Sequence, residues 1–330
     1  MATDFDKQIE GQMIEWRRGN INTDELGVQN GLERPWILPE RLWTDGLWDG
    51  VKESLPAYLE ETGVQKHKGC NNLKSSWILC ANLYFPFRED NNLLASFLNR
   101  YVDDRIESVS RVELEYAEDS PLDPATLLGE PQGKRGANQT SPDVAFIVNG
   151  GRGLVLTENK YTEHSFYSCA GRKPKYGNPD TKRCSNLEEV VRDTNNCYMT
   201  RWQEGRRTNR KYWDFININS IAMAELNRCP AATAGYQLFR QQALAEAIAQ
   251  KGNYEFVISC VAYDEHNHTL INSLSSSGIN DFRDGWGKIF EGKARFTSFS
   301  HQQFASWVRD NDNNSRWSNW LTYISQRYRY

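Results

Sequence analysis

"PDVAFIVNGGRGLVLTENKY", residues 142–161, sets two β-rich apolar runs either side of Asn149-Gly150 and carries acidic residues toward both outer ends. Asn-Gly favours the positive φ of a tight turn, so the stretch predicts an antiparallel hairpin. On the second strand Glu158 and Lys160 are two residues apart, so both side chains leave one face, roughly 6–7 Å apart along the backbone, and Asn159 points the other way. Asp143 opens the first strand and, across a hairpin, comes beside Glu158. Two carboxylates so close repel unless a cation lies between them. Oxygen ligands on a rigid strand suit Mg²⁺, for which Mn²⁺ can substitute, because Mg²⁺ takes one or two carboxylates and keeps waters for a substrate. A lysine beside that ion orients or helps deprotonate a water and offsets charge developing on a phosphate. Asp143, Glu158 and Lys160 thus read as a phosphodiester-hydrolysis set. An acidic-x-Lys triplet also arises as a plain surface ion pair. The context lifts this one above that: the Asp starts a strand, the triplet ends the next, and a helix and a strand follow.

Upstream, "NNLKSSWILCANLYFPF" spaces Leu73, Trp77, Cys80, Ala81 and Tyr84 as one buried helical face ending near Pro86. "NNLLASFLNRYV" predicts a second helix with Leu93, Leu94, Phe97, Leu98 and Tyr101 on one stripe. "RVELEY" has a period of two, with Val112, Leu114 and Tyr116 on one side and Glu113 and Glu115 on the other. Downstream, "YQLFRQQALAEAIAQKG" is a helix stopped by Gly252, and "YEFVISCVAY" is a buried strand. The order from Asn91 to Tyr263 is helix, three strands, helix, strand: an α/β protein with a mixed central sheet flanked by helices. Three regions follow. Residues 1–90 form a helical or irregular cap, 91–265 a core with a basic insertion at about 162–230, and 266–330 a C-terminal helical extension packed on that core.

The chain has 330 residues, 39% of them hydrophobic, enough for a sizeable core, and a net charge of -4. That average hides a patch: from His164 to Lys211 eleven Lys and Arg face five Asp and Glu. "GRKPKYG" and "GRRTNRKYW" mix cations with aromatics, the composition of phosphate-tracking surfaces, although such runs are also ordinary solvated faces. Lys134, Arg135, Arg172, Lys173, Arg206, Arg207, Arg210 and Arg240 are the candidate nucleic-acid contacts. No apolar run is long enough for a signal peptide or a bilayer span, so the expected location is the cytoplasm, with no membrane partner.

The residues Pro142-Asp143 and Glu158-Asn159-Lys160, with the helix-strand order around them, resemble the PD-(D/E)xK nuclease superfamily. "SSWILCANLYFPF", "GANQTSPDVAFIV", "ENKYTEHSF" and "HQQFASWV" look like an uncharacterised bacterial branch of it. The resemblance implies a restriction-endonuclease-like core, Asp143, Glu158 and the Asn159 backbone carbonyl as metal ligands, and Lys160 as the catalytic lysine. It also implies a further acidic residue, for which Glu115 is the candidate and Glu113 and Glu130 are rivals. Gln237, on the helix after the lysine strand, matches part of the Gln-x-x-x-Tyr pattern of RecB-like members, although "YQLFRQQ" lacks the Tyr. The implied activity is Mg²⁺-dependent hydrolysis of DNA, double-stranded, by an endonuclease of restriction or defence type, with a homodimer left open. Two alternatives stand beside it: an RNA-cleaving nuclease, and a nucleic-acid-binding protein that keeps the fold without the chemistry.

Cys169, Cys184 and Cys197, with Cys229 as a distant fourth, fall in the basic insertion. A structural zinc or iron-sulfur centre there lacks the close C-x₂₋₄-C pairs that make a local chelate, so independent thiols are the expectation. "DEHNHTL" is not an HNH motif, and "GGRG" lacks the Walker lysine and reads only as a turn. His164, four residues after Lys160, reads as a polar loop histidine.

Overall fold

The computed structural model of the chain describes residues 3–172, 181–200, 202–203, 206–207 and 210–330. A five-stranded sheet runs through it, with strands β1 (Val109–Leu114), β2 (Val144–Val148), β3 (Gly153–Lys160), β4 (Phe256–Tyr263) and β5 (Arg295–Ser300) side by side in chain order. The first three are an antiparallel meander, whereas β3, β4 and β5 are parallel. The predicted hairpin is therefore present, and its turn needs three consecutive positive φ values, at Asn149 (53°), Gly150 (68°) and Gly151 (90°). Asn149 tolerates that conformation because its side chain accepts from the N–H groups of Glu107 and Ser108 and donates to the Arg105 carbonyl.

Alternation along the strands splits the core in two. Val144, Phe146, Val148 and Val155 enter one apolar cluster, and Ala145, Ile147, Leu154 and Leu156 enter the other. A one-residue slip would exchange the two sets, so the hairpin register is fixed by burial on both faces. The first cluster is covered by α1 (Asp4–Asn20), α2 (Ser76–Tyr84), α3 (Asn91–Tyr101), and the C-terminal helices α5 (His301–Asn311) and α6 (Ser318–Tyr328). The second is covered by α4 (Tyr236–Lys251), the crossover helix between the parallel strands β3 and β4, together with parts of the basic insertion.

Three local readings change in three dimensions. Residues Trp77 to Tyr84 of α2 are buried on every side rather than on one face, because cap and sheet sandwich the helix. Its end does fall where Pro86 predicts. The alternation of "RVELEY" breaks at Glu115, whose φ of 46° sends Tyr116 into the cluster opposite to that of Val112 and Leu114. The segment after residue 265 is not only helical. "RFTSFS" forms β5 on the edge of the central sheet, with Phe296 against one cluster and Phe299 inside the other, and its last residue, Ser300, caps α5 through a reciprocal bond with Gln303.

Candidate active site

The hairpin register pairs Val144 with Thr157, so one further step sets Asp143 opposite Glu158. The Asn159 N–H donates to Asp143 Oδ2 at 2.7 Å, folding the aspartate across the strand end. In a strand the N–H and C=O of a residue face the same neighbour, so the Asn159 carbonyl shares this edge. Its side chain points the other way, donating to the Ser76 carbonyl at the start of α2. Lys160 Nζ meets Glu158 Oε1 at 2.6 Å, as two residues on one face of a strand should. From the facing helix Gln237 Nε2 donates to the same oxygen at 2.9 Å.

The left-handed turn that ends β1 supplies the third carboxylate. Glu115 donates its N–H to the Asp143 carbonyl, and its buried side chain lines one cleft of about 200 Å³ with Asp143, Glu158, Gln237, Arg240 and Gln241. Its two rivals are committed elsewhere. Glu113 accepts from Tyr58 and Arg135, while Glu130 accepts from Thr140, Tyr212 and Arg240.

Burial pushes the Asp143 carboxyl well above the usual carboxylate range, and the neighbouring Glu158 adds to it, against the pull of Lys160 and the Asn159 N–H. Glu115 is raised for the same reasons, burial first and then Asp143 and Glu158. Lys160 moves the other way for a buried amine: desolvation lowers it, but Glu158, Glu163 and Asp143 outweigh that and hold it protonated above its ordinary value. The cleft thus has an excess of carboxylate over cation. It also holds two buried amide oxygens, Gln237 Oε1 and Gln241 Oε1, without hydrogen-bond partners. Acceptors in surplus and donors in deficit suit a divalent cation with its waters. Among the described residues, no three His, Cys, Asp or Glu side chains are grouped to hold a metal ion as they stand, and in this cleft Glu158 Oε1 is taken up by Lys160 and Gln237.

The predicted nucleic-acid contacts disperse. Lys134 is exposed, and so is Arg172, which reaches the Thr233 carbonyl. Arg135 is spent on Glu113, Tyr58 and the carbonyls of Leu114 and Glu115. Arg210 donates to the Gly129 carbonyl, and Arg240 pairs with Glu130 at the cleft wall. Arg206 and Arg207 form a two-residue strand against Trp202–Gln203, while Lys173 lies outside the described residues.

Four further residues belong to this neighbourhood. Gln241 is one helical turn after Gln237, the spacing that could have signalled it; its Nε2 ties the cleft to the Leu156 and Cys260 carbonyls. His67 comes from the cap, lines the cleft and stacks on Trp77. Glu163 accepts from Ser76 Oγ at 2.6 Å and from the Tyr161 N–H at 2.8 Å. His301 pins the lysine strand: its Nε2 is 2.9 Å from the Lys160 carbonyl, which can only accept, so the proton sits on Nε2 and Nδ1 accepts from the Tyr84 hydroxyl. Burial holds that ring neutral by pushing its pKa down to about 4. Glu163 lies in "ENKYTEHSF" and His301 in "HQQFASWV", both stretches that carry the family resemblance, and nothing in either stretch signals these roles.

Residues 11–328 match the family described as Restriction Endonuclease associating with ARP. The chain belongs to that family. A restriction-endonuclease family is a nuclease class, and the sequence resemblance to restriction-endonuclease-like proteins is consistent with the assignment. No curated protein and no solved structure matches the chain. Among the described residues of this family member, no helix is long and apolar enough to cross a membrane.

Proposed function

We propose that the protein is a Mg²⁺-dependent endonuclease of restriction or defence type that hydrolyses phosphodiester bonds in double-stranded DNA, built on a restriction-endonuclease-like core. One observation carries the reading. Asp143, Glu158, Glu115 and Gln237, from four separate elements, line one cleft at the end of the hairpin, and Lys160 Nζ stands against Glu158 beside it.

Asp143 and Glu158 would hold the cation, with Glu115 and the Asn159 carbonyl completing the oxygen set. When bound, a divalent cation polarises the phosphate and lowers the pKa of a bound water. The remaining work falls to the chain. Lys160, kept protonated by its carboxylate neighbours, donates to the attacking water or to a phosphate oxygen and opposes the negative charge that grows there. Gln237 fixes Glu158 through its Nε2 and offers its unpartnered Oε1 to a water proton. His301 and Asn267 hold the carbonyls of Lys160, Tyr161 and Glu163, so the lysine cannot drift as substrate enters.

The test is cleavage of plasmid, single-stranded DNA and RNA with Mg²⁺ and then with EDTA, using wild type and Lys160→Ala. We expect plasmid cleavage that EDTA stops and that the variant loses by at least about 10²-fold, the usual cost of removing a transition-state donor, with DNA binding retained. Cleavage at the wild-type rate in Lys160→Ala refutes the assignment, and preference for RNA refutes the substrate.

A further inference from the structure

The seven cysteines divide between the two faces of the sheet. Cys70, Cys80 and Cys260 sit in the first cluster, far from the basic insertion, whereas Cys169, Cys197 and Cys229 pack with the second. Cys184 joins the latter group through the backbone, because the Cys229 N–H donates to the Cys184 carbonyl at 2.9 Å. The Cys169 N–H likewise donates to the carbonyl of Ala231, two residues past Cys229, at 2.9 Å. Three segments that are remote in sequence are thus stitched together at their cysteines. Ionisation of one would be felt by the others: the Cys169 thiol is raised first by burial and further by Cys197, Cys229 and Cys184, and the Cys229 thiol first by burial and further by Cys197 and Cys184.

What surrounds the sulfurs has a pattern. Gly171 donates its backbone N–H to Cys169 Sγ at 3.3 Å, two residues on. The N–H groups of Met199 and Thr200 face the Cys197 sulfur, and those of Ala231 and Ala232 face that of Cys229, in each case two and three residues on. The buried indole N–H of Trp213, which has no hydrogen-bond partner of ordinary geometry, also faces Cys197. A neutral thiol is a weak acceptor and gains little from two donors, whereas a thiolate is stabilised by each of them. Several buried thiolates in contact are in turn untenable without a cation among them.

We propose that Cys169, Cys184, Cys197 and Cys229 form a four-thiolate site for a soft metal centre, zinc or an iron-sulfur cluster, that fastens the basic insertion to the α4 side of the sheet. Burial raises the Cys169, Cys197 and Cys229 thiols, pushing Cys229 up to about 12, and metal coordination would reverse that by taking the proton's place. Among the described residues no three His, Cys, Asp or Glu side chains are grouped to hold a metal ion as they stand, so the ion would draw in ligands from segments that the backbone hydrogen bonds already bring together. The insertion is where such a fastener is needed: its described residues form helices and strands of two to six residues, too short to hold together by their own packing. The long gaps that speak against a metal in the sequence are closed by the hydrogen bonds between segments, not by a local chelate. This centre is independent of the nuclease reading, since, among the described residues, no cysteine lines the Asp143 cleft.

Protein purified without chelator should contain near-stoichiometric metal by elemental analysis, and its spectrum separates the two sources: colourless with zinc, brown with iron and acid-labile sulfide. Cys169→Ser and Cys229→Ser should each lose that metal, whereas Cys70→Ser, on the other face, should retain it. Because a serine variant can fail to fold, wild-type protein stripped with chelator and titrated with Co²⁺ gives a second readout, with intense thiolate-to-cobalt absorption and the visible bands of a tetrahedral site expected. Metal-free purified protein that also gives no thiolate-cobalt absorption overturns the proposal, as does a metal content that survives both Cys169→Ser and Cys229→Ser.

Discussion

Asp143→Asn should make the metal-free protein more stable at alkaline pH while abolishing its activity. Asp143 has a folded pKa well above the usual value, through burial and then Glu158. The folded state therefore binds its proton more tightly than the unfolded state, so stability is full below the unfolded pKa of about 4 and falls as pH rises through the folded value. Each pH unit by which the folded value exceeds the unfolded one amounts to about 1.4 kcal/mol. Asparagine does not ionise, its oxygen can still accept from the Asn159 N–H, and its neutrality removes one of the charges that raise Glu115. The loss of attraction to Lys160 works against the variant, but that attraction is already outweighed in the net rise. At pH 8 in EDTA the gain should be about 1–3 kcal/mol, seen as a rise of a few degrees in Tm. Near pH 4 the difference should close, because both forms are then neutral. Saturating Mg²⁺ should reverse the order, since a ligand at about 100 times its Kd adds about 2.7 kcal/mol to wild type and the variant has lost ligand charge. Thermal and urea melts at several pH values, in EDTA and in Mg²⁺, measure all of this. A variant less stable than wild type at pH 8 in EDTA, or a gap that does not change between pH 4 and 8, refutes the account of the cleft as an over-full set of carboxylates.

Arg240→Ala leaves Glu130 buried beside Thr140 and Tyr212 without its cation, a loss of about 3–5 kcal/mol at neutral pH. Burial raises Glu130, but Arg240 and the Thr140 bonds outweigh it and leave the folded pKa below the usual value, so the pair's contribution is present above about pH 4.3 and is lost as pH falls through the folded value. Urea midpoints of variant and wild type should converge in that acid range. Changing Arg206 and Arg207 together to Gln should weaken DNA binding and reduce the slope of log K against log salt by about 0.9 for each phosphate that is no longer neutralised. Arg210 is left out of that variant because it supports the Gly129 carbonyl, and an unchanged slope moves the binding face elsewhere.

Elements whose period is local can be read from the chain alone. The hairpin at Asn149-Gly150, the alternation along β2 and β3, the helix over residues 236–251 and its stop at Gly252 follow from steric limits and side-chain spacing that few contacts elsewhere can override. The pairing of Glu158 with Lys160, and of both with Asp143, is legible for the same reason: a period of two and a tight turn leave one geometry. Past that range, packing between distant segments takes over. Glu115 enters the cleft through a single left-handed residue that no pattern announces, and "RFTSFS" becomes a strand because the β4 edge is there to pair with it. His67 and His301 reach the site from the cap and the C-terminal segment, and each depends on parts of the chain that share no local signal. The same holds for Arg135, Arg210 and Arg240, which count as surface charge in the sequence and are turned inward by carbonyls and carboxylates that only the fold brings to them. The four cysteines of the insertion show it most plainly: spacing along the chain bears on a local chelate, and hydrogen bonds between distant segments set what is near in space.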